Sequence, residues 1–167
     1  MAKAKTATTT QAKAPSFDLE SDAGKHVTLD DFSGGWLVVY FYPKDNTPGC
    51  TREAHDFTAA LPRFKKLGAK VVGVSKDSAK SHVGFRDKCD IGFPLLSDAS
   101  LDVHRAYGAW GKKKMYGKEV EGTIRSTFLV SPDGEIVESW KSVKVDGHVE
   151  KVLAALEKAK KTHSAAE

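Results

Sequence analysis

One cysteine in this sequence stands where a thiol can become reactive. Cys50 ends the segment PKDNTPGC, residues 43–50, which joins an apolar run to the first turn of a predicted helix. The unpaired N–H groups and the dipole at a helix N-terminus stabilise a negative charge, so this position favours a thiolate. Thr47 adds a hydroxyl that can hold the sulfur or a bound oxygen. The loop therefore predicts an oxidisable nucleophile and not an inert buried cysteine.

Two other kinds of cysteine site are disfavoured. A Cys-x-x-Cys dithiol needs a second sulfur at position 47, where threonine stands. A metal site is not indicated, because the six histidines are scattered and none has a metal-ligand spacing to the cysteines beyond Cys50-x4-His55. Cys50 can attack a substrate, but its partner in an oxidation cycle must come from elsewhere.

Alternating strands and helices are predicted to position this loop. Residues 36–42, WLVVYFY, are apolar on both faces, which is typical of a strand inside a sheet covered by helices. Apolar spacing predicts a helix over 50–66, which Pro62 should break into two pieces. The other predicted elements are strands at 71–75, 93–96, 126–130 and 135–140, and helices at 77–89 with Asp77 as N-cap, 101–107 and 147–159. This order indicates an α/β domain with a mixed central β-sheet flanked by α-helices.

Length and composition indicate one domain between two tails. The 167 residues correspond to about one domain, and 40% hydrophobic with 29% charged residues is close to the globular average. Residues 1–14 are rich in Ala, Thr and Lys and are predicted to be a disordered tail; the absence of Arg and of an amphipathic stripe disfavours a transit peptide. The folded domain is predicted over 15–161, with a C-terminal tail over 162–167.

Charge and hydropathy exclude several classes of protein. The net charge of +4 lies largely in the tails, and no apolar run is long enough for a membrane helix or a secretion signal. We therefore expect a cytoplasmic protein without a membrane partner. Residues 112–116, KKKMY, are interpreted as a solvated loop, and nucleic acid is not an expected partner because no groove-reading motif accompanies them.

Several segments resemble one known family. Residues 41–54, FYPKDNTPGCTREA, fit the peroxiredoxin pattern P-x-x-x-T-x-x-C and are similar to the bacterioferritin comigratory protein or peroxiredoxin Q subfamily. Further similar segments follow in order: FPLLSD at 93–98, MYG at 115–117, RSTFLVSPDGEIV at 125–137 and VKVDGHVEKVLAAL at 143–156. The resemblance covers about residues 15–159. It implies a thioredoxin-like fold and a thiol peroxidase that reduces hydrogen peroxide and alkyl hydroperoxides without a metal or organic cofactor.

The resemblance also implies a role for each matching residue. Cys50 becomes the peroxidatic cysteine, Thr47 the hydroxyl donor, Pro43 the shield of the pocket and Arg125 the guanidinium beside the sulfur. Glu53 matches a glutamate one turn into the helix, where it is expected to support the site without touching the reacting atoms. Peroxide cleavage displaces an oxygen that develops negative charge, so fixed donors around Cys50 suit this chemistry. The sulfur becomes a sulfenic acid.

The chain departs from its subfamily at the second cysteine. Many members carry one five positions after the first, where this chain has His55, and others carry one on the following helix at a position that matches Arg86. Cys89 is displaced from Arg86 by about one helical turn on the same face. The expected cycle is an intramolecular disulfide between Cys50 and Cys89, reduced by thioredoxin or a similar thiol reductant, in a monomer. The alternatives are a one-cysteine peroxidase resolved by an external thiol, and a redox-sensing or holdase protein.

Overall fold

An eight-stranded mixed β-sheet forms the centre of the molecule, whose computed structural model describes residues 12–166. The strand order is β1-β10-β9-β4-β5-β6-β2-β3, with β4, β5 and β6 parallel and the other neighbours antiparallel. Its strands are β1 (Ala12–Lys13), β2 (Asp18–Ser21), β3 (His26–Thr28), β4 (Trp36–Phe41), β5 (Ala69–Ser75), β6 (Leu95–Ser97), β9 (Ser126–Val130) and β10 (Glu135–Lys141). The predicted mixed sheet is confirmed.

Strand β4 is central because both of its faces are apolar. All six of its residues are buried, and alternate side chains enter opposite sides of the sheet. Val38 and Tyr40 contribute to a first cluster, which also contains Cys50, Ala54, Phe57, Phe64, Phe85 and Leu153. Leu37 and Val39 contribute to a second cluster, which also contains Phe41, Val103, Tyr107 and Phe128. Each face of the sheet therefore has its own core.

Helices cover both faces, as expected for a doubly covered parallel sheet. The helices are α1 (Pro48–Lys66), α2 (Ala79–Cys89), α3 (Asp102–Tyr107) and α4 (His148–Ala166), and a 3₁₀ helix spans Leu29–Phe32. Buried residues of α1, α2 and α4 pack in the first cluster, and those of α3 in the second. Within the described residues, no helix combines the length and apolarity that crossing a bilayer requires.

The predicted break of the first helix at Pro62 is wrong. Helix α1 is continuous from Pro48 to Lys66 and contains Pro62. A proline inside a helix removes one backbone hydrogen bond. Here Phe57 and Phe64, on either side of it, are both fully buried. Their packing holds the two halves of α1 against the sheet.

The start of α2 also differs from the prediction. The N-cap is Ser78, whose side chain accepts a hydrogen bond from the Ser81 N–H, and not Asp77. The Asp77 carboxylate accepts instead from the Ser75 hydroxyl and from the Asp45 N–H. Both Asp and Ser are good caps, so tertiary contacts decide between them.

Two hairpins were not predicted. Strands β2 and β3 pair at one edge of the main sheet. Strands β7 (Trp110–Met115) and β8 (Lys118–Thr123) form a separate two-stranded sheet in which Lys112 faces Glu121 and Lys114 faces Glu119. The basic run is therefore strand and not a loop, although Lys112 and Lys114 are exposed as expected, and residues of opposite charge occupy paired positions on the two strands.

The domain boundaries shift at both ends. Strand β1 pairs with β10, and the Ala14 N–H donates to the Gly134 carbonyl, so residues 12–14 belong to the sheet and not to a tail. The rest of the predicted N-terminal tail, 1–11, lies outside the described residues. At the other end α4 continues to Ala166, because residues 160–166 contain no glycine or proline to stop it, and the described part of the predicted tail at 162–167 is helical.

Candidate active site

The Cys50 sulfur lies at the N-terminal end of α1. The helix begins at Pro48 after an N-cap, Thr47, in extended conformation, so Cys50 is its third residue. Proline suits this first position because its missing N–H would have no intrahelical partner there. Cys50 is only 1% exposed. Free N–H groups and the positive end of the helix dipole therefore surround a thiol that is nearly shielded from water.

Arg125 places a positive charge beside this sulfur. Its Nη2 donates to Cys50 Sγ at 3.5 Å, and its Nη1 donates to Glu53 Oε1 at 2.6 Å. Strand β9 pairs with β4 so that Ser126 faces Phe41, which brings Arg125 to the end of β4 where the cysteine loop starts. A Cβ atom at position 49 would lie 3.2 Å from Arg125 Nη2. Gly49 therefore provides the space for this contact, and the predicted meeting of Arg125 with Cys50 is observed.

Glu53 is a fully buried carboxyl group that holds Arg125 in place. Burial raises the pKa of Glu53 to about 7, although the charge and hydrogen bond of Arg125 oppose this shift. Its second oxygen, Oε2, has no hydrogen-bond partner among the described residues. This unpartnered oxygen explains why burial outweighs the guanidinium. Glu53 thus supports the site through Arg125, a partner that the sequence did not indicate, and its preference for the charged form is weakened.

Thr47 and Pro43 lie on the loop before Cys50, and both are partly buried. The Thr47 hydroxyl donates its proton to the Lys44 carbonyl at 2.9 Å. It does not hold the sulfur, so that part of the sequence expectation is not what the structure records. With its proton engaged, Thr47 Oγ1 offers lone pairs to an incoming hydroxyl group.

Cys89 occupies a different position, at the last residue of α2. It is partly buried and packs against the first cluster. Together with Asn46, Pro48, Thr51, Arg52 and His55, it lines a groove of about 560 Å³. Cys89 and the first turns of α1 therefore face each other across one groove. Both cysteines are free thiols in this structure.

Comparison with known proteins identifies the family. Residues 10–139 match the AhpC/TSA family. The chain is 53% identical over 145 residues to peroxiredoxin Bcp of Xanthomonas campestris, covering 86% of this chain and 91% of that protein. It is 44% identical to peroxiredoxin Bcp of Bacillus subtilis, with coverages of 86% and 92%. The structure of the Xanthomonas campestris bacterioferritin comigratory protein is similar, with a TM-score of 0.82, 51% identity and coverages of 86% and 91%. This chain is a peroxiredoxin of the AhpC/TSA family.

The expected subfamily and fold of this peroxiredoxin are confirmed. The Xylella fastidiosa peroxiredoxin Q structure is similar with a TM-score of 0.83 and 41% identity, covering 90% of this chain and 98% of that one. The fold is thioredoxin-like, and the enzyme is a thiol peroxidase.

One residue near the site of the peroxiredoxin was missed in the sequence. Lys113, on β7, donates from Nζ to the Thr123 carbonyl at 2.8 Å. Burial lowers its pKa, as does the charge of Arg125, while Cys50 raises it. Lys113 therefore adds a second positive charge to the surroundings of Cys50. A run of three lysines does not show which of them points inward. The pairing of β7 with β8 decides this, and the sequence did not indicate that pairing.

A second group that the sequence did not reveal joins the cysteine loop to α2. Asp45 is 5% exposed, and His82 on α2 is fully buried, with its Nδ1 at 2.8 Å from Asp45 Oδ2. Neither residue carries a recognisable sequence signal, because a loop aspartate and a helix histidine are usually solvated.

Proposed function

We propose that Cys50 is the peroxidatic residue and that the pair of Cys50 Sγ and Arg125 Nη2, 3.5 Å apart, is the centre of the reaction. The thiolate attacks the terminal oxygen of a hydroperoxide. A sulfur–oxygen bond forms and the oxygen–oxygen bond breaks, which leaves a sulfenic acid on Cys50. The departing oxygen takes a proton from solvent and leaves as water or an alcohol.

Three groups around Cys50 can hold the hydroperoxide during the attack. The Arg125 guanidinium and the N–H groups of the first turn of α1 can donate to the reacting oxygens, and Thr47 Oγ1 can accept from the hydroxyl of the substrate. Pro43 borders the loop and limits access of water. The Xanthomonas campestris structure was studied for alkyl peroxide reduction. We therefore infer that hydrogen peroxide and alkyl hydroperoxides are both substrates.

The resolving step is assigned to Cys89. Its thiol attacks the Cys50 sulfenic sulfur, which forms a disulfide and releases water. The shared groove brings Cys89 opposite the first turns of α1. Because Cys50 is only 1% exposed and the cysteines lie on two different helices, we propose that local unwinding brings the two sulfurs together. Thioredoxin or a similar dithiol then reduces the bridge and is itself oxidised to a disulfide.

Two variants test this cycle. Replacing Cys50 with serine should reduce peroxide consumption to the uncatalysed background, which stopped-flow kinetics will measure. A Cys50→Ser protein that still consumes peroxide would refute the proposal. Wild-type protein that forms the sulfenic acid but does not turn over with a thioredoxin system would instead favour the redox-sensing or holdase alternative.

Replacing Cys89 with serine tests the resolving step. Mass spectrometry of the peroxide-treated variant should show oxygen added to Cys50 and no internal bridge, and thioredoxin-supported turnover should be lost. Unchanged turnover would favour the one-cysteine cycle with an external thiol.

The proposed setting is a monomer in the cytoplasm. The resemblance to the peroxiredoxin Q subfamily supports the monomer. Size-exclusion chromatography with light scattering will test the monomer, and cell fractionation will test the location.

A further inference from the structure

A buried polar network joins the cysteine loop to α2. The Asp45 carboxylate accepts hydrogen bonds from the Tyr42 hydroxyl at 2.7 Å and from the Ser81 hydroxyl at 2.8 Å. It also contacts His82 Nδ1 at 2.8 Å, and its backbone N–H donates to Asp77 Oδ2 at 2.8 Å. One loop residue is therefore fixed by the residue that follows β4, by the segment after β5 and by the first turn of α2.

The second nitrogen of His82 determines what this contact is. His82 Nε2 lies 3.0 Å from the Leu96 carbonyl, which can only accept. Nε2 must donate to that oxygen, while Nδ1 faces a carboxylate that already accepts two hydroxyl protons. Asp45 and His82 therefore form a buried, hydrogen-bonded pair whose second ring nitrogen is fixed by the Leu96 carbonyl.

The position of Asp45 connects this hydrogen-bonded pair to the reaction. Asp45 lies two residues after Pro43 and two before Thr47, in the loop that ends at Cys50. Building on the function proposed above, we propose that Asp45 and His82 are positioning residues, whose hydrogen-bonded contact holds Pro43 and Thr47 in the arrangement that peroxide attack needs. Small displacements of positioned groups are enough to slow such a reaction strongly.

The same pair links the loop to the helix of the second cysteine. His82 lies in the first turn of α2, and Cys89 is the last residue of that helix. The loop keeps its reactive shape only while the first turn of α2 is folded. Unwinding for the disulfide is compatible with that shape when it is limited to the end of α2 that bears Cys89.

A second buried pair offers a matched control. His104 is fully buried, with Nδ1 at 2.7 Å from Asp98 Oδ2, and it stacks edge-on against Phe41 of the second cluster. Cys50 belongs to the first cluster, on the other side of the sheet. The two pairs are chemically alike, but only Asp45–His82 touches the cysteine loop.

The test compares two reactions of the same sulfur. Asp45→Asn and His82→Gln should slow the reaction of Cys50 with hydrogen peroxide by roughly tenfold to a hundredfold. Alkylation of Cys50 by iodoacetamide, followed on its peptide by mass spectrometry, needs the thiolate but no positioned loop and should keep its wild-type rate. His104→Gln should lower the thermal stability and leave both rates unchanged. The proposal would be overturned if Asp45→Asn and His82→Gln reacted with peroxide as fast as His104→Gln. It would also be overturned if the peroxide reaction and the alkylation slowed by the same factor.

Further variants separate the contributions of the two nitrogens of His82. The amide nitrogen of Asn at position 82 can replace Nδ1, and that of Gln can replace Nε2. His82→Asn should therefore react with peroxide faster than His82→Gln, and Ser81→Ala, which removes one hydrogen bond to Asp45, should lie between His82→Gln and wild type. The reverse order for the two position-82 variants would overturn the proposal. Wild-type protein that does not react with peroxide would instead refute the proposed function.

Discussion

The two cysteines lie at opposite ends of two helices that contact the same groove. Cys50 is nearly fully buried at the N-terminal end of α1, where the helix dipole and Arg125 favour a negative charge. Cys89 is partly exposed at the C-terminal end of α2, where the dipole opposes one. The fold thus places the two thiols at helix ends of opposite polarity. This difference in position on a helix, and not the residue type, is the basis for the two roles proposed for these cysteines.

Removing the Arg125 guanidinium should have the largest effect on the difference in reactivity between Cys50 and Cys89. We expect Arg125→Met to slow the peroxide reaction of Cys50 by roughly a hundredfold to a thousandfold, the usual cost of one lost charge-stabilising donor. Rapid-mixing kinetics will measure this rate. Alkylation of Cys89 should be unaffected and serves as the internal control. An equal loss at both cysteines would mean that Arg125 acts on the whole fold.

Glu53 should reveal itself through the pH dependence of stability. Its pKa of about 7 in the folded protein exceeds the usual 4.5, so its neutral form is favoured by folding, and this contribution is lost as pH rises from 4.5 through 7. Glu53→Gln removes the titration. Urea unfolding should show the variant gaining up to about 3 kcal/mol relative to wild type across this range. A constant difference between the two proteins would contradict the assignment.

The titration of His148 is the reason for comparing wild type with Glu53→Gln and not interpreting the pH dependence of wild type alone. Burial lowers the pKa of His148 to about 4, with the charges of Lys151 and Arg125 acting in the same direction. Its contribution to stability is present above pH 6.5 and is lost as pH falls towards 4. The two slopes oppose each other in wild type. The difference between wild type and Glu53→Gln isolates the carboxyl group.

The smallest expected effect concerns the end of α2. Asp90, next to Cys89, has φ 52°, a left-handed conformation that glycine adopts more easily. Asp90→Gly should strengthen this helix end by up to about 1 kcal/mol. We expect disulfide formation to slow by up to about fivefold, with the peroxide step unchanged.

A matched variant is available at Ser142, another left-handed residue, with φ 53°. Ser142→Gly makes the same backbone change away from both cysteines in sequence. Stopped-flow fluorescence of both steps will separate the variants. If Asp90→Gly and Ser142→Gly slow the disulfide step equally, the end of α2 does not control it.

The sequence could predict the parts of the fold whose signal is local. Apolar periodicity predicts strands β4 and β9 and most of helix α1. The loop that ends at Cys50 lies between β4 and α1, and Arg125 directly precedes β9. The β7–β8 hairpin could not be predicted in this way, because its residues are mostly polar and exposed. Pro62 misled the prediction because local propensity ignores the packing of Phe57 and Phe64.

The candidate site shows the same limit. Cys50 and Arg125 meet as their motifs suggest, since each has a recognisable neighbourhood in sequence. Asp45 and His82 meet only because the cysteine loop folds over the start of α2, a contact between residues far apart in the chain. The hydroxyl of Thr47 shows that even a motif residue can have an unpredicted partner, the carbonyl of its own loop.

The division of the interior into two cores has a practical consequence for engineering. Both cysteines pack with the first cluster, while the second cluster, on the opposite side of β4, contains only residues such as Val39, Val103 and Phe128. Thermostabilising substitutions can be sought in that second layer with little risk to turnover. A library of substitutions confined to the second cluster should yield more thermostable enzymes in which the reactivity of both cysteines is unchanged.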